Sequence, residues 1–516
     1  MANIDPDHEA GLEDVKQYSL IAAIASLSYV FWVVGGMEMV ERLAYYGVRS
    51  VSGLYATAPV SAGGLGVSAE QLGTIFFIWA LVQSLVPALV GGLSDRFGYK
   101  QTIALSTITK IVAYLIMGFF PTFVGFTMGA IVLATGTGIF KPGIQGTLVK
   151  ATSRKNSSMA WGIFYQTVNI GGWLGPLLAA QLRQLAWSHL FFACAAIIAL
   201  NFLLLLTYKE PNLEERLERK RKLAAGEIEQ GSLVRESLRE LAMPTLWVFL
   251  LIMSGFWFSF NSLFDVLPLY IRDWVDTSTV VNTLFGADGT SNPIPIFLFG
   301  MSQDGNRIMP EGLLNLNAGL IMLTCFFFAH LSGKLKAVNS IIFGTMLAGI
   351  AFLAIGYTTA AWFCVIGILM FSVGEMFSSP KFLEFCGKIA PSDKKAMYLG
   401  FSQLPLAVGW TLEGYFGPLL YGRLAAKETL ARSWLADNGM NAEAIAAIPQ
   451  GEAFTRMVEF TRGSATELTQ LLYTTNNVGV VWYVIAAIGF VSAAGLYGYG
   501  RWIASLTRGP VRAAAP

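Results

Sequence analysis

Glu38-Met-Val-Glu41-Arg42-Leu-Ala-Tyr45-Tyr46-Gly-Val-Arg49 sits inside a long apolar run that we read as a membrane span over 20–56. Its polar residues Glu38, Glu41, Arg42, Tyr45 and Arg49 fall at steps of i, i+3, i+4, i+7 and i+11. At about 100° per residue those steps make one stripe, running roughly 16 Å along a helix. A charge at bilayer depth costs several kcal/mol unless it faces a partner or water. Snorkelling from a helix end accounts for Arg49, but not for Glu38, Glu41 and Arg42, which have apolar residues on both sides. The stripe therefore needs a polar interior to face, and that interior must be built by other spans.

The rest of the chain supplies them. Of 516 residues, 54% are hydrophobic and 13% charged, with mean hydropathy +0.55. A soluble domain carries about 25% charged residues. Further spans are expected near 72–93, 101–120, 123–148, 158–182 and 187–208, then near 244–271, 314–333, 337–357, 360–387, 396–424 and 478–503. The expected architecture is an all-α membrane protein with twelve transmembrane helices in two six-helix bundles, 20–208 and 244–503. A charged linker covers 209–243, and tails cover 1–19 and 504–516. Lys and Arg collect in alternate short connections: Arg96 and Lys100, Lys150 to Lys155, Lys334 and Lys336, Lys388 to Lys395. The bias toward cytoplasmic loops puts both termini in the cytoplasm. The long segments 273–312 and 425–476 are exceptions, since long loops cross regardless of charge; the second holds a candidate surface helix near 426–436. The acidic start (Asp5, Asp7, Glu9, Glu13, Asp14) lacks the basic region of a cleavable signal.

The two halves read as distant copies. Gly136-Thr-Gly-Ile-Phe-Lys-Pro142 aligns with Gly374-Glu-Met-Phe-Ser-Ser-Pro380 at an offset of 238 residues, and the same offset lays Leu93-Ser-Asp95-Arg96-Phe97 over Leu331-Ser-Gly-Lys-Leu335. Repeated halves with a site between them suit alternating access. Other charges at membrane depth are Lys110, Lys141, Asp265, Glu375 and Glu413. Lys110 and Glu413 have no obvious partner, and each is as readily structural as functional. His189 and His330 read as packing or interfacial residues. The cysteines Cys194, Cys325, Cys364 and Cys386 show neither a disulfide pattern nor metal-ligand spacing, so no metal or cofactor is expected. A net charge of +2 gives no basic excess for a nucleic-acid partner. HExxH, GxSxG and Gly-rich phosphate loops are missing, which disfavours an intramembrane enzyme.

Several stretches resemble one family. Glu38 to Gly47 is similar to the ExxERFxYYG motif of the proton-coupled oligopeptide transporter family in the major facilitator superfamily, with Leu43 for Phe. Gly91-Gly-Leu-Ser-Asp95-Arg96-Phe-Gly-Tyr-Lys100 resembles the superfamily's loop 2–3 signature. Phe140-Lys141-Pro142 resembles FKP in span 4, Phe164 to Gly171 resembles FYxxINxG in span 5, and Gly374 to Pro380 with Ala390-Pro391 resembles GExxxSP…AP in span 10.

The resemblance implies a major facilitator fold and proton-driven symport of di- or tripeptides across the cell inner membrane. The proton gradient takes the place of a cofactor, and the partners are a peptide or peptide-like substrate, protons and the lipid bilayer. It implies proton coupling by Glu38, Glu41 and Arg42, with Lys141 as their ion-pair partner. Substrate would meet Arg42, Tyr45, Tyr46, Lys141, Asn169 and Glu375, the last taking an amino terminus. Asp95 and Arg96 would gate the cytoplasmic side. The family's span 7 acid falls on Asn261, its span 2 tyrosine on Ser84 and its span 5 serine on Gly172. Asp265 lies one turn beyond Asn261, so the closing pair is expected to have slid to Arg49–Asp265. These departures leave a second substrate class open: an amino-acid derivative, a peptide-like compound or an anion.

Overall fold

A computed structural model describes residues 20–90, 97–153, 156–209, 241–389 and 401–507, with a few isolated positions between 217 and 239. The first long helices are α1 (Tyr29–Arg49), α2 (Ala69–Val90), α3 (Tyr99–Phe119), α4 (Phe123–Lys150), α5 (Ser157–Leu182) and α6 (Trp187–Leu206). After the linker come α7 (Pro244–Asp265), α8 (Leu316–Gly333), α9 (Ala337–Tyr357), α10 (Ala361–Ile389), α11 (Gln403–Leu424) and α12 (Val480–Thr507). No strand forms among the described residues; the only bridges are two isolated ones. By length and composition nine helices could cross a membrane, among the described residues. α1, α5 and α11 are outside that set, and α1 is so because of its own charged stripe.

The apolar run 20–56 is not one helix. It divides into Leu20–Ala25, α1 and Ser52–Thr57. Ser28 makes the first break, its hydroxyl accepting from the Phe31 N–H at 3.3 Å as an N-cap.

Packing repeats between the halves. In the first, α1 packs on α5 and α6, α3 on α4 and α6, and α2 on α4; in the second, α7 packs on α11 and α12, α9 on α10 and α12, and α8 on α10. Each pairing reappears six helices later. The 238-residue offset carries α3 onto Ala337–Tyr357 and α4 onto Ala361–Ile389 to within one residue. It also superposes Pro142 on Pro380, each inside its helix, where a proline removes one backbone hydrogen bond. Between the halves the main contacts are α2 on α11 and α5 on α8.

Close helix approach depends on glycine. A Cβ at Gly171 of α5 would lie 2.4 Å from the Met39 carbonyl oxygen, and one at Gly175 would lie 2.6 Å from that of Leu43. The α1 backbone therefore sits directly on α5, with Arg42 Cβ itself 2.7 Å from the ideal Cβ of Gly171.

The two long segments are ordered caps. The first contains Ser278–Phe285, Pro293–Leu298 and a bridge between Met301 and Ile308. The second holds Lys427–Asp437, the surface helix expected near 426–436, followed by Ala442–Ala446, Ala453–Thr461 and Ala465–Asn476.

Candidate functional site

The stripe on α1 is buried in protein. Glu38 is 5% exposed, Glu41 0%, Arg42 7% and Arg49 7%. Arg42 bridges the two acids, its Nε 2.9 Å from Glu38 Oε1 and 2.7 Å from Glu41 Oε2. The other Glu41 oxygen accepts from Lys110 Nζ on α3 at 2.7 Å.

That last contact corrects an expectation. Lys141 is not the ion-pair partner of this cluster; Lys110 is, and Lys141 makes no hydrogen bond or ion pair among the described residues. The reason lies in the α3–α4 contact. A Cβ at Gly136 would fall 2.7 Å from Lys110 Cγ, so the missing side chain leaves a channel for the lysine stem. The Nζ then passes 4.0 Å from the centre of the Phe140 ring, a cation–π contact, on its way to Glu41. A lone lysine in an apolar span was the available signal, but one-dimensional spacing cannot say which carboxylate it reaches.

Lys141 instead lines a cavity of about 320 Å³ between the halves. From the first half its walls carry Arg42, Tyr45, Tyr46, Lys141, Tyr165 and Asn169; from the second come Trp257, Asn261, Asn317, Glu375 and Trp410. The cavity thus collects all the residues expected to meet substrate. Glu375 Oε2 accepts from Asn317 Nδ2 at 3.0 Å, which fixes the carboxylate's direction. Arg42 lies 5.5 Å from the Tyr45 ring centre and 5.9 Å from that of Tyr46. Gln83 rather than Ser84 reaches the cavity, accepting from Tyr45 Oη at 3.0 Å and Trp79 Nε1 at 3.1 Å. Tyr165, Asn317, Gln83 and Trp410 were not singled out in the sequence, since polar and aromatic residues in a span carry no mark of which way they face.

At one end of the cavity Arg49 of α1 bonds Asp265 of α7, the pairing expected from a one-turn slide. Its guanidinium lies among aromatic rings, 4.6 Å from Phe76, 5.4 Å from Trp79 and 5.4 Å from Trp410. Asn261 donates to the Trp257 carbonyl of its own helix at 2.6 Å. A second link between the halves, not foreseen, joins Arg183 at the end of α5 to Glu311: Nε–Oε1 at 2.5 Å and Nη2–Oε2 at 3.0 Å. Asp95, Arg96, Ala390 and Pro391 lie outside the described residues.

Comparison with known proteins gives the family. The profile described as Major Facilitator Superfamily matches residues 42–412. The chain belongs to that superfamily. Its members are membrane transporters, not enzymes. Among curated relatives, the chain is 31% identical over 175 residues to a peptide transporter of Yersinia enterocolitica, covering 33% of this chain and 34% of that one. It is 23% identical over 448 residues to a dipeptide and tripeptide permease B of Shigella dysenteriae, covering 75% and 86%. The chain spans between 34% and 39% of the lengths of the first two relatives it matches. In fold it is similar to a crystal structure of a peptide transporter POT in complex with sulfate, with TM-score 0.65, 16% identity, and coverage of 96% of this chain and 98% of that one. These two relatives and the solved structure are peptide transporters, which is where the motif resemblance pointed.

Proposed function

We propose that this superfamily member is a proton-coupled symporter importing di- or tripeptides by alternating access. In this reading twelve spans cross the cell inner membrane and both termini are cytoplasmic. The observation that carries it is the division of charge across the cavity: Arg42 and unpaired Lys141 line one wall and Glu375 the other. That arrangement matches a zwitterion, carboxylate to the first half and ammonium to the second. Binding such a molecule would tie the halves together around it. The proton-coupling group is then Glu38, Glu41 and Arg42, with Lys110 as the internal counter-ion and Lys141 available to substrate. Arg49–Asp265 would close the outer side, and Asp95 with Arg96 the cytoplasmic one. Similarity to peptide transporters supports the substrate class.

The test is binding of dialanine against N-acetyl-dialanine to purified Glu375→Gln. A charge-assisted hydrogen bond is worth about 1.5–3 kcal/mol, so affinity for the free peptide should fall roughly tenfold to over a hundredfold. The acetylated peptide, with no ammonium, should be far less affected. Equal losses for both would make Glu375 a structural residue and move the substrate toward the second class.

The replacement of the family acid by Asn261, and of the span 2 tyrosine by Ser84 with Gln83 at the cavity, favours a pocket of altered shape. A peptide-like compound is the second reading on that ground.

A further inference from the structure

Glu413 of α11 has no part in the account so far. It is fully buried, with 0% exposure, and neither carboxyl oxygen has a hydrogen-bond partner among the described residues. Room is kept for it: a Cβ at Gly417 would stand 2.1 Å from Glu413 Oε1. Its carboxyl lies within hydrogen-bonding reach of the Asp265 carboxyl and close to the Ser262 hydroxyl. The Ser262 proton is already given to the Phe258 carbonyl at 3.2 Å. Asp265 uses one oxygen for Arg49, and its Oδ2 also has no partner.

The groups facing this carboxyl can be enumerated by element. α7 brings Asp265 and Ser262, and α1 brings Arg49, whose own guanidinium lies over the rings of Phe76 on α2 and Trp410 on α11. One guanidinium therefore serves two buried carboxyls. If both were ionised, neither could donate to the other, and an uncompensated negative charge would stand buried in the protein. One proton removes the excess charge and supplies a donor between the two carboxyls. It bonds Glu413 to Asp265 Oδ2 and leaves Asp265 Oδ1 to Arg49.

We propose that Glu413 and Asp265 share one proton whenever Arg49 is closed on Asp265, forming a second proton-binding site distinct from the Glu41 cluster. The proton is taken up as the outer side closes and given back as it opens, when water reaches both carboxyls. Closing therefore consumes one proton, and by linkage the closed form gains as pH falls. This deepens the transport reading in one respect only: it rests on Arg49–Asp265 being the outer closure.

Two measurements test it, and neither uses a substrate, so failure of the peptide assignment would leave them intact. The first is pH-difference infrared spectroscopy of the purified transporter in nanodiscs, read at the C=O stretch of protonated carboxyls. The wild type should keep a protonated-carboxyl band at neutral pH that Glu413→Gln lacks. Asp265→Asn should shift this band without removing it. Superimposable wild-type and Glu413→Gln spectra, from protein of equal monodispersity, would overturn the proposal. The second uses spin labels at exposed Val60 and Leu284, 70% and 50% accessible, to read the outer separation. One proton per closure predicts a closed-to-open ratio rising up to about tenfold per unit fall in pH. In Glu413→Gln, which imitates the protonated acid, the closed fraction should be high and its pH dependence weaker than that of wild type by the one proton this site takes up. A variant that keeps the wild-type pH dependence would refute the shared proton.

Discussion

Glu41 is held between two cations, Arg42 and Lys110, and that pairing leaves Lys141 free to meet substrate. Breaking a buried pair by removing one member costs about 3–5 kcal/mol, because the other charge is left uncompensated. Lys110→Met should therefore lower the melting temperature of the purified protein markedly. Lys141→Ala, which removes no ion pair, should leave melting nearly unchanged and weaken binding of a dipeptide. The opposite pattern would return the pairing to Lys141. The double variant Glu41→Gln with Lys110→Met should recover much of the lost stability, since no charge is then stranded. At this scale the stripe itself was legible, because 3.6-residue periodicity puts Glu38, Glu41, Arg42, Tyr45 and Arg49 on one face whatever surrounds them. The identity of Arg49's partner was legible through the family resemblance, which puts an acid at Asn261, together with helical spacing, since Asp265 is one turn further on. Lys110 was not, since its reach depends on the glycine opposite it at Gly136 and on the distance between α3 and α4.

At the scale of elements, the position of the stripe depends on α1 lying against α5. Gly175→Val would place side-chain atoms where the Leu43 carbonyl oxygen already stands, 2.6 Å from the ideal Cβ. Overpacking of this kind costs about 1–3 kcal/mol, and the shift should also carry Arg42 away from the cavity. We expect reduced thermal stability together with lost transport. Gly498→Ala on α12 is the control, since nothing lies within 4 Å of its ideal Cβ. Helix propensity alone should make it neutral or stabilising by about 0.5–1 kcal/mol. A control variant as damaging as Gly175→Val would mean that glycine serves flexibility rather than close packing. Element boundaries were read well where apolar runs end in turns, as for α3, α4, α9 and α10, whose offset repeats almost residue for residue. The run 20–56 was read as one helix because hydropathy stays high through Ser26 to Ser28, and a hydroxyl cap does not lower it enough to show.

For the molecule as a whole, two sets of helices meet along α2–α11 and α5–α8, and among the described residues two ion pairs cross between them, Arg49–Asp265 and Arg183–Glu311. Both must part if the halves are to rock. Glu311 is fully buried, so Glu311→Gln should destabilise the closed outer side and shift spin-label distances toward the open form; unchanged distances would make that pair incidental. The internal repeat was visible in the sequence through two short matches at one offset, and of the two ion pairs between the halves Arg49–Asp265 was expected, whereas Arg183–Glu311 was not, since no spacing rule joins residues a hundred or more positions apart. The central claim is that a proton gradient drives peptide uptake through Glu41. Its most direct test is accumulation of labelled dialanine in proteoliposomes with an imposed inward proton gradient, for wild type and Glu41→Gln, beside counterflow exchange with no gradient. Wild type should concentrate the peptide above equilibrium, while Glu41→Gln should fail to concentrate it yet still exchange it. Accumulation by Glu41→Gln equal to wild type, or wild-type uptake indifferent to the gradient, would contradict the account.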